Sequence, residues 1–312
     1  FFLHYMYIIY TINSYIKILC YIRIIYSYCK MFNNYQYEYP ESERLIVIGD
    51  IHGDLKRFKN ILIDAQIINN NLEWIAQPPN TIVVQLGDQI DSANRTNTVN
   101  NWEVLEDTDM LYFTNTLDNI AISKGGRVIS LIGNHELMNT QGNFSYVSEK
   151  SNKINRINDY IPNGKLSNIL SKRPAVLKIG KLFFCHAGLK KCHLDLLKSY
   201  NKEIIYINTL WKKYMLGELN DTDDIMLFEK LYIDNDGILW NRELDSKEDN
   251  IYTLNEIKCI YMFIGHNTVE RISLLNDSTW FVDTGISRAY GNKTYQYIDI
   301  NNFNINIKEI KE

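Results

Sequence analysis

Three apolar runs in the first half of the chain each end in glycine followed by a polar residue. Residues 44–48 run into Gly49-Asp50, residues 81–86 into Gly87-Asp88, and residues 128–132 into Gly133-Asn134. Short continuous apolar runs of this kind suit buried strands. Between the first two, residues 54–68 carry Leu55, Phe58, Ile61, Leu62 and Ala65 at helical spacing, with Asp54 placed to cap them. Residues 99–123 predict a long helix closed by Gly125-Gly126. The alternation of strand and helix predicts three parallel strands with helices on the sheet faces.

The middle of the chain, residues 143–232, is polar and mostly helical, with breaks at Pro162 and Pro174. Inside it, residues 175–179 and 182–185 predict a hairpin that turns at Gly180-Lys181. Short strands are predicted again at 260–264, 271–275, 280–282 and 295–300. No internal repeat and no linker separates a second domain. The expectation is an α/β fold in which two sheets pack together within residues 44–300. Residues 31–43 are read as an N-terminal extension and 301–312 as a C-terminal tail, with Asn301-Asn302 as a polar loop.

Residues 1–30 differ from the rest. They are dense in Ile and Tyr, contain no Gly or Pro, and are followed directly by Met31. They are read as a leader upstream of a start at Met31. The rival reading is a membrane anchor or signal. Lys17 and Arg23 interrupt the roughly 20 apolar residues that a spanning helix needs, and no small-residue cleavage site follows a basic start. No membrane contact is therefore expected unless these residues are part of the protein.

Composition narrows the function classes. A hydrophobic fraction of 46% excludes wholesale disorder, and a formal net charge of −4 gives no basic field for nucleic acid. The cysteines (Cys20, Cys29, Cys185, Cys192 and Cys259) form no Cys-x-x-Cys pair. They read as reduced thiols of an intracellular, cytoplasmic protein.

Four of the histidines share one setting. His52, His135, His186 and His266 each follow a predicted strand within a few residues, and the second strand ends in Gly87-Asp88-Gln89-Ile90-Asp91. Ligands of α/β sheets bind at the carboxyl ends of strands, so these clusters can converge. The inventory of imidazoles, carboxylates and an amide suits Mn, Fe or Zn, and it exceeds what one four-coordinate ion needs. Two ions that share a carboxylate activate water for in-line displacement at phosphorus. The spacing points to phosphate ester hydrolysis.

Gly49-Asp50-Ile51-His52-Gly53, Gly87-Asp88-Gln89-Ile90-Asp91, Gly133-Asn134-His135-Glu136, His186-Ala187-Gly188 and Gly265-His266 resemble, in order, the motifs of the calcineurin-like metallophosphoesterases. The chain looks like their phosphoprotein phosphatase branch. Gly133 to Asn139, Gly237-Ile238-Leu239-Trp240-Asn241-Arg242 and Asp283-Thr284-Gly285-Ile286-Ser287 are similar to the Shewanella-like protein phosphatases. The resemblance implies an αββα sandwich of two packed mixed sheets flanked by helices. It also implies a site for two divalent or trivalent metal ions. Asp50 and His52 would bind the first ion, Asp88 would bridge, and Asn134, His186 and His266 would bind the second. His135 would be the general acid, Asp91 its orienting carboxylate, and Arg242 a phosphate ligand.

The implied activity is hydrolysis of phosphoprotein or phosphopeptide monoesters by direct attack of a hydroxide between the two metals. Ser/Thr side chains come first, with Tyr as the other option. The family's Asp-Arg-Gly is Asp91-Ser92-Ala93 here, and the arginine common before Gly-Asn-His-Glu is Ile132. Arg95, Arg242 and Arg288 remain as phosphate ligands. The missing arginines keep open a dinucleoside polyphosphate or nucleotide hydrolase, or a phosphodiesterase, of the same fold. A binding module without catalysis would show damaged ligand positions, and none is damaged. Glu136 is expected to support its loop, Cys185 to sit in the core, and His193 to be at the surface or partly buried.

Overall fold

The structure, a computed structural model, describes residues 37–95, 108–149, 151 and 153–312. The leader 1–30, residues 31–36 of the extension and residues 99–107 of the second predicted helix lie outside the described residues.

β1 (Glu38–Tyr39) leads into β2 (Arg44–Ile48). Helix α1 (Leu55–Asp64) begins where the Asp54 carboxylate accepts the Arg57 N–H at 3.2 Å. It stops short of the predicted Ile68. Gln66 turns left-handed (φ 54°), and Ile68 instead bridges to Trp74. β3 (Ile82–Gln85), α2 (Thr108–Ser123) and β4 (Arg127–Ser130) follow, then α3 (Asn134–Thr140) and α4 (Lys153–Tyr160). β2, β3 and β4 pair in parallel, as the alternation predicts.

The hairpin is present as β5 (Val176–Ile179) and β6 (Leu182–Cys185), with Gly180 at φ 56° in its turn. Helices α5 (Ser167–Leu170), α6 (Lys191–Ser199), α7 (Tyr206–Met215), α8 (Thr222–Phe228) and α9 (Lys247–Glu256) fill the middle. The last strands are β7 (Tyr261–Ile264), β8 (Ser273–Leu275), β9 (Thr279–Phe281), β10 (Thr294–Asn301) and β11 (Asn304–Lys311).

The strands form two mixed sheets, ordered β1-β5-β6-β7-β9-β8 and β11-β10-β2-β3-β4. Residues 301–312 are therefore no tail. Asn302 and Phe303 take left-handed φ of 46° and 64°, and β11 returns antiparallel along all of β10. The strand was missed because Asn304 to Lys311 is an edge strand, mostly exposed and rich in Asn and Lys.

Side-chain alternation builds the layers. Leu45, Val47, Val84, Ile129 and Leu131 meet Leu177, Phe184, Phe263 and Val282 between the sheets. Ile46, Ile48, Val83 and Val128 point the other way, onto Phe58, Leu62 and Leu117 of α1 and α2. Phe183, Cys185, Met262 and Ile264 face Leu197, Leu210, Trp211 and Leu254 of the middle helices. The result is the αββα sandwich, with the carboxyl ends of β2, β3, β4, β6 and β7 brought together. Burial pushes the Cys185 thiol up to about 12, as a core position requires. Among the described residues, no helix is long and apolar enough to cross a membrane.

Candidate active site

The turns after β2 and β3 are zipped by their backbones. Ile51 and His52 donate N–H to the Asp88 carbonyl at 3.1 and 2.9 Å, and Gly53 to Gln89 at 2.7 Å. Glu136 holds the next turn to these. Its carboxylate accepts the backbone N–H of Asp88 (2.9 Å), Gln89 (2.9 Å) and Gly133 (2.7 Å). It supports the loops, as expected. The other sheet is tied in by His186, whose Nδ1–H donates to Leu86 O at 2.7 Å, and by the Gly265 N–H on His186 O at 2.8 Å. The turns leave no room for larger residues. A Cβ on Gly133 would lie 2.2 Å from Asp88 Oδ1, and one on Gly265 would lie 2.2 Å from Asp50 Oδ1. His52, Asp88, Asp91 and His266 all adopt left-handed φ, between 43° and 72°. Such strain, roughly 1–3 kcal/mol each, persists only where surrounding contacts fix it.

Every metal-ligand residue expected from the sequence is in this cluster. His186 Nε2 lies 3.0 Å from Asn134 Oδ1 and 3.3 Å from Asp88 Oδ2. His52 Nε2 and His135 Nε2 lie 3.9 and 3.8 Å from the same Asp88 oxygen. Two groups have metal-compatible spacing: His52, Asp88 and His135; and Asp88, His186 and His266. Asp88 is common to both, which is the arrangement a bridging ligand needs. Asp50 stands beside them, with its Oδ1 4.0 Å from His186 Nδ1.

The electrostatics fit cations. Burial, with Asp283 and Asp88 close by, pushes the Asp50 carboxyl well above its usual range. Burial also opposes the charge of Asp88, but His186 and His135 outweigh it and hold that carboxyl well below. Burial lowers His52 well below the ordinary imidazole value, helped by Arg95 and His135, and takes His266 to about 3, helped by His186. Asp50 Oδ1 is buried and accepts no hydrogen bond. An orphaned buried carboxyl oxygen beside a cluster of imidazole nitrogens is what a bound cation would satisfy.

His135 is different from the other imidazoles. Its Nδ1 lies 2.8 Å from Asp91 Oδ2, so the ring is oriented by a carboxylate and Nε2 is left toward the cluster. Asn139 donates to both Asp91 oxygens at 2.9 Å, and Arg156 to Oδ1 at 3.1 Å. Asn139 closes the motif that begins at Gly133 but carries no role from the sequence, and Arg156 was not singled out. Arg156 lies on a helix outside every strand-end motif, and no local signal marks it.

A cavity of about 300 Å³ opens over the cluster, lined also by Arg95, Tyr146, Trp240, Arg242, Thr268 and Tyr290. Arg242 donates to His266 O at 3.2 Å. The Arg95 guanidinium stacks 4.5 Å from the Tyr146 ring centroid, and that ring lies 5.0 Å from His135. Arg288 is elsewhere, held by the buried Asp54 carboxylate at 2.9 Å through two nitrogens. Tyr146 and Trp240 lie in turns and Tyr290 ends a single 3-10 turn (Arg288–Tyr290), none of which carries a periodic signal. His193 is more deeply buried than the surface or partly buried place expected; its Nε2 bonds to Asp236 O at 2.7 Å, and Nδ1 accepts the Lys190 N–H at 3.1 Å.

The calcineurin-like phosphoesterase family model matches residues 43–307, and the chain belongs to that family. That family uses a dinuclear metal centre, and the family together with the site defines a metallophosphatase. Among similar proteins, Shewanella-like protein phosphatase 1 of Plasmodium berghei is 29% identical over 306 residues, covering 89% of this chain and 76% of that protein. Shewanella-like protein phosphatase 2 of Arabidopsis thaliana is 35% identical over 115 residues, 37% of this chain and 26% of that protein. A cold-active protein-tyrosine phosphatase of a psychrophilic Shewanella species shares the fold, with a TM-score of 0.71 at 19% identity, over 88% of this chain and 82% of that one.

Proposed function

We propose that the chain is a protein phosphatase that hydrolyses phosphoserine or phosphothreonine monoesters, with phosphotyrosine as the other substrate. The observation that carries this reading is the Asp91–His135 pair, 2.8 Å apart, whose imidazole lines the same cavity as the metal-type cluster and two arginines. The similarity to proteins named as protein phosphatases supports phosphoproteins as the substrate class.

In this reading Asp50, His52 and Asp88 hold one ion, and Asp88, Asn134, His186 and His266 hold the other. Manganese, iron and zinc all suit these nitrogen and oxygen donors. When bound, the pair supplies positive charge and an activated water for attack at phosphorus. Arg242 and Arg95 hold phosphate oxygens through charge-assisted bonds. Arg95 takes over from the arginine missing after Asp91. Asp91 accepts the His135 Nδ1–H and balances the charge of the imidazolium, whose Nε2–H is the proton given to the leaving oxygen. A cytoplasmic, intracellular setting accords with Cys185, Cys192 and Cys259 being unpaired.

The test is turnover by the manganese-loaded full chain on matched phosphothreonine, phosphotyrosine and dinucleoside polyphosphate substrates, beside Asp88→Asn. Phosphopeptide turnover abolished by Asp88→Asn is the expected result. Turnover of the dinucleotide alone would assign the chain to the other substrate class.

A further inference from the structure

Asp91 is fully buried, and its two oxygens are crowded with donors. Oδ2 faces His135 Nδ1 at 2.8 Å, both oxygens face Asn139 Nδ2 at 2.9 Å, and Oδ1 faces Arg156 Nη2 at 3.1 Å. The Arg156 side chain is 3% exposed. Its Nε donates to Asn139 Oδ1 at 2.5 Å, and its guanidinium lies 4.6 Å from the centroid of the buried Tyr160 ring.

We propose that Arg156 is a positioning residue that acts on the leaving-group side of the reaction through Asp91 and His135. This rests on the reading of His135 as general acid. A buried carboxylate needs a counter-charge, and a guanidinium fork can satisfy two partners in one plane. Here one arm meets Asp91 Oδ1 while Nε meets the Asn139 carbonyl oxygen. The second contact fixes which way the Asn139 amide points, so its NH₂ is presented to Asp91. Both contacts leave Oδ2 as the oxygen nearest His135 Nδ1, and they hold the imidazole with Nε2 facing the cavity. Tyr160 clamps the guanidinium from one face. The catalytic pair is thus a four-residue relay, whose last member comes from α4 and not from the sheet ends.

The test uses the manganese-loaded full chain and a series of aryl phosphates from 2,4-dinitrophenyl to phenyl. A dinitrophenolate leaves without protonation, whereas phenolate benefits from it. Arg156→Met is expected to lower kcat for phenyl phosphate roughly 10–100-fold, the usual effect of removing a residue that orients a functional ligand. It is expected to spare dinitrophenyl phosphate and KM, and to have no further effect in a His135→Ala background. Arg156→Lys should recover part of the loss. If Arg156→Met fails to fold, the milder Arg156→Lys carries the same slope measurement. The signal of the ring N–H shared by His135 and Asp91, read by ¹⁵N NMR, should shift or broaden in either variant. A loss equal across all leaving groups, or one that adds to His135→Ala, overturns the proposal. A wild-type chain inactive on every aryl phosphate overturns the phosphatase reading itself, which is a distinct outcome.

Discussion

Asp50 accepts the backbone N–H of His266 on Oδ2 at 3.0 Å and leaves Oδ1 without any protein donor. The contact spans 216 residues of sequence and joins the turn after β2 in one sheet to the turn after β7 in the other. One oxygen therefore locks the two halves of the site, and the other is left for a cation. Asp50→Asn separates these roles. The amide oxygen can still accept from His266, but the charge is gone. The expected outcome is a folded protein whose metal content drops from two ions towards one. Elemental analysis after dialysis measures it, and retention of both ions would remove Asp50 from the ligand set.

Metal affinity should fall as pH falls, and the sign follows from the carboxyl. Burial raises the Asp50 pKa, so acid leaves it protonated in the fold, and an ion must displace that proton. His186, lifted by Asp88 against the effect of burial, must lose a proton as well. His52 and His266 oppose nothing, because their pKa values are lowered, to about 3 for His266, and both stay neutral well below the ordinary imidazole range. Calorimetric titration with manganese between about pH 8 and about pH 5.5 should show weakening with proton release. Affinity that rises on acidification would contradict this.

The strand-end chemistry was legible because each candidate follows a short apolar run and a glycine. Those local signals survive in a single sequence at His52, Asp88, Asn134, His186 and His266. The walls of the cavity were not legible. Tyr146 lies in a turn, Tyr290 ends a 3-10 turn, and Arg156 sits on α4; only tertiary packing brings them to His135, His52 and Asp91 respectively. β11 was missed for a related reason. An edge strand whose outer face is solvated keeps little of the apolar alternation that marks a strand.

Arg95 and Arg242 enter the cavity from different loops, and Arg288 does not line it. Charge-assisted hydrogen bonds to phosphate are worth about 1.5–3 kcal/mol, so Arg95→Ala and Arg242→Ala should each lower kcat/KM roughly 10–100-fold. Inorganic phosphate should inhibit each variant more weakly than the parent. Arg288→Ala should leave KM unchanged while lowering the melting temperature, since it removes the guanidinium from the buried Asp54 carboxylate and leaves it only backbone N–H donors. An unchanged phosphate inhibition constant in Arg95→Ala would return the role to Arg242 alone.

Asn208 on α7 shows how the helical layer holds the strand that leads to His186. Its Oδ1 accepts the Ala175 and Val176 N–H groups at 2.8 and 3.0 Å, and its Nδ2 donates to Val176 O at 2.8 Å. The side chain is in effect a short extra strand beside β5, and the residue is 1% exposed. Asn208→Ala leaves two N–H groups and one carbonyl buried without partners. At about 1–3 kcal/mol for each orphaned group, with incomplete additivity, the loss should be about 2–5 kcal/mol. Asn208→Asp keeps the acceptor for both N–H groups but sets a carboxylate oxygen against Val176 O, so it should not restore stability. Urea unfolding of the two variants measures both effects. A loss below about 1 kcal/mol in Asn208→Ala would show that water or a relaxed backbone replaces the amide.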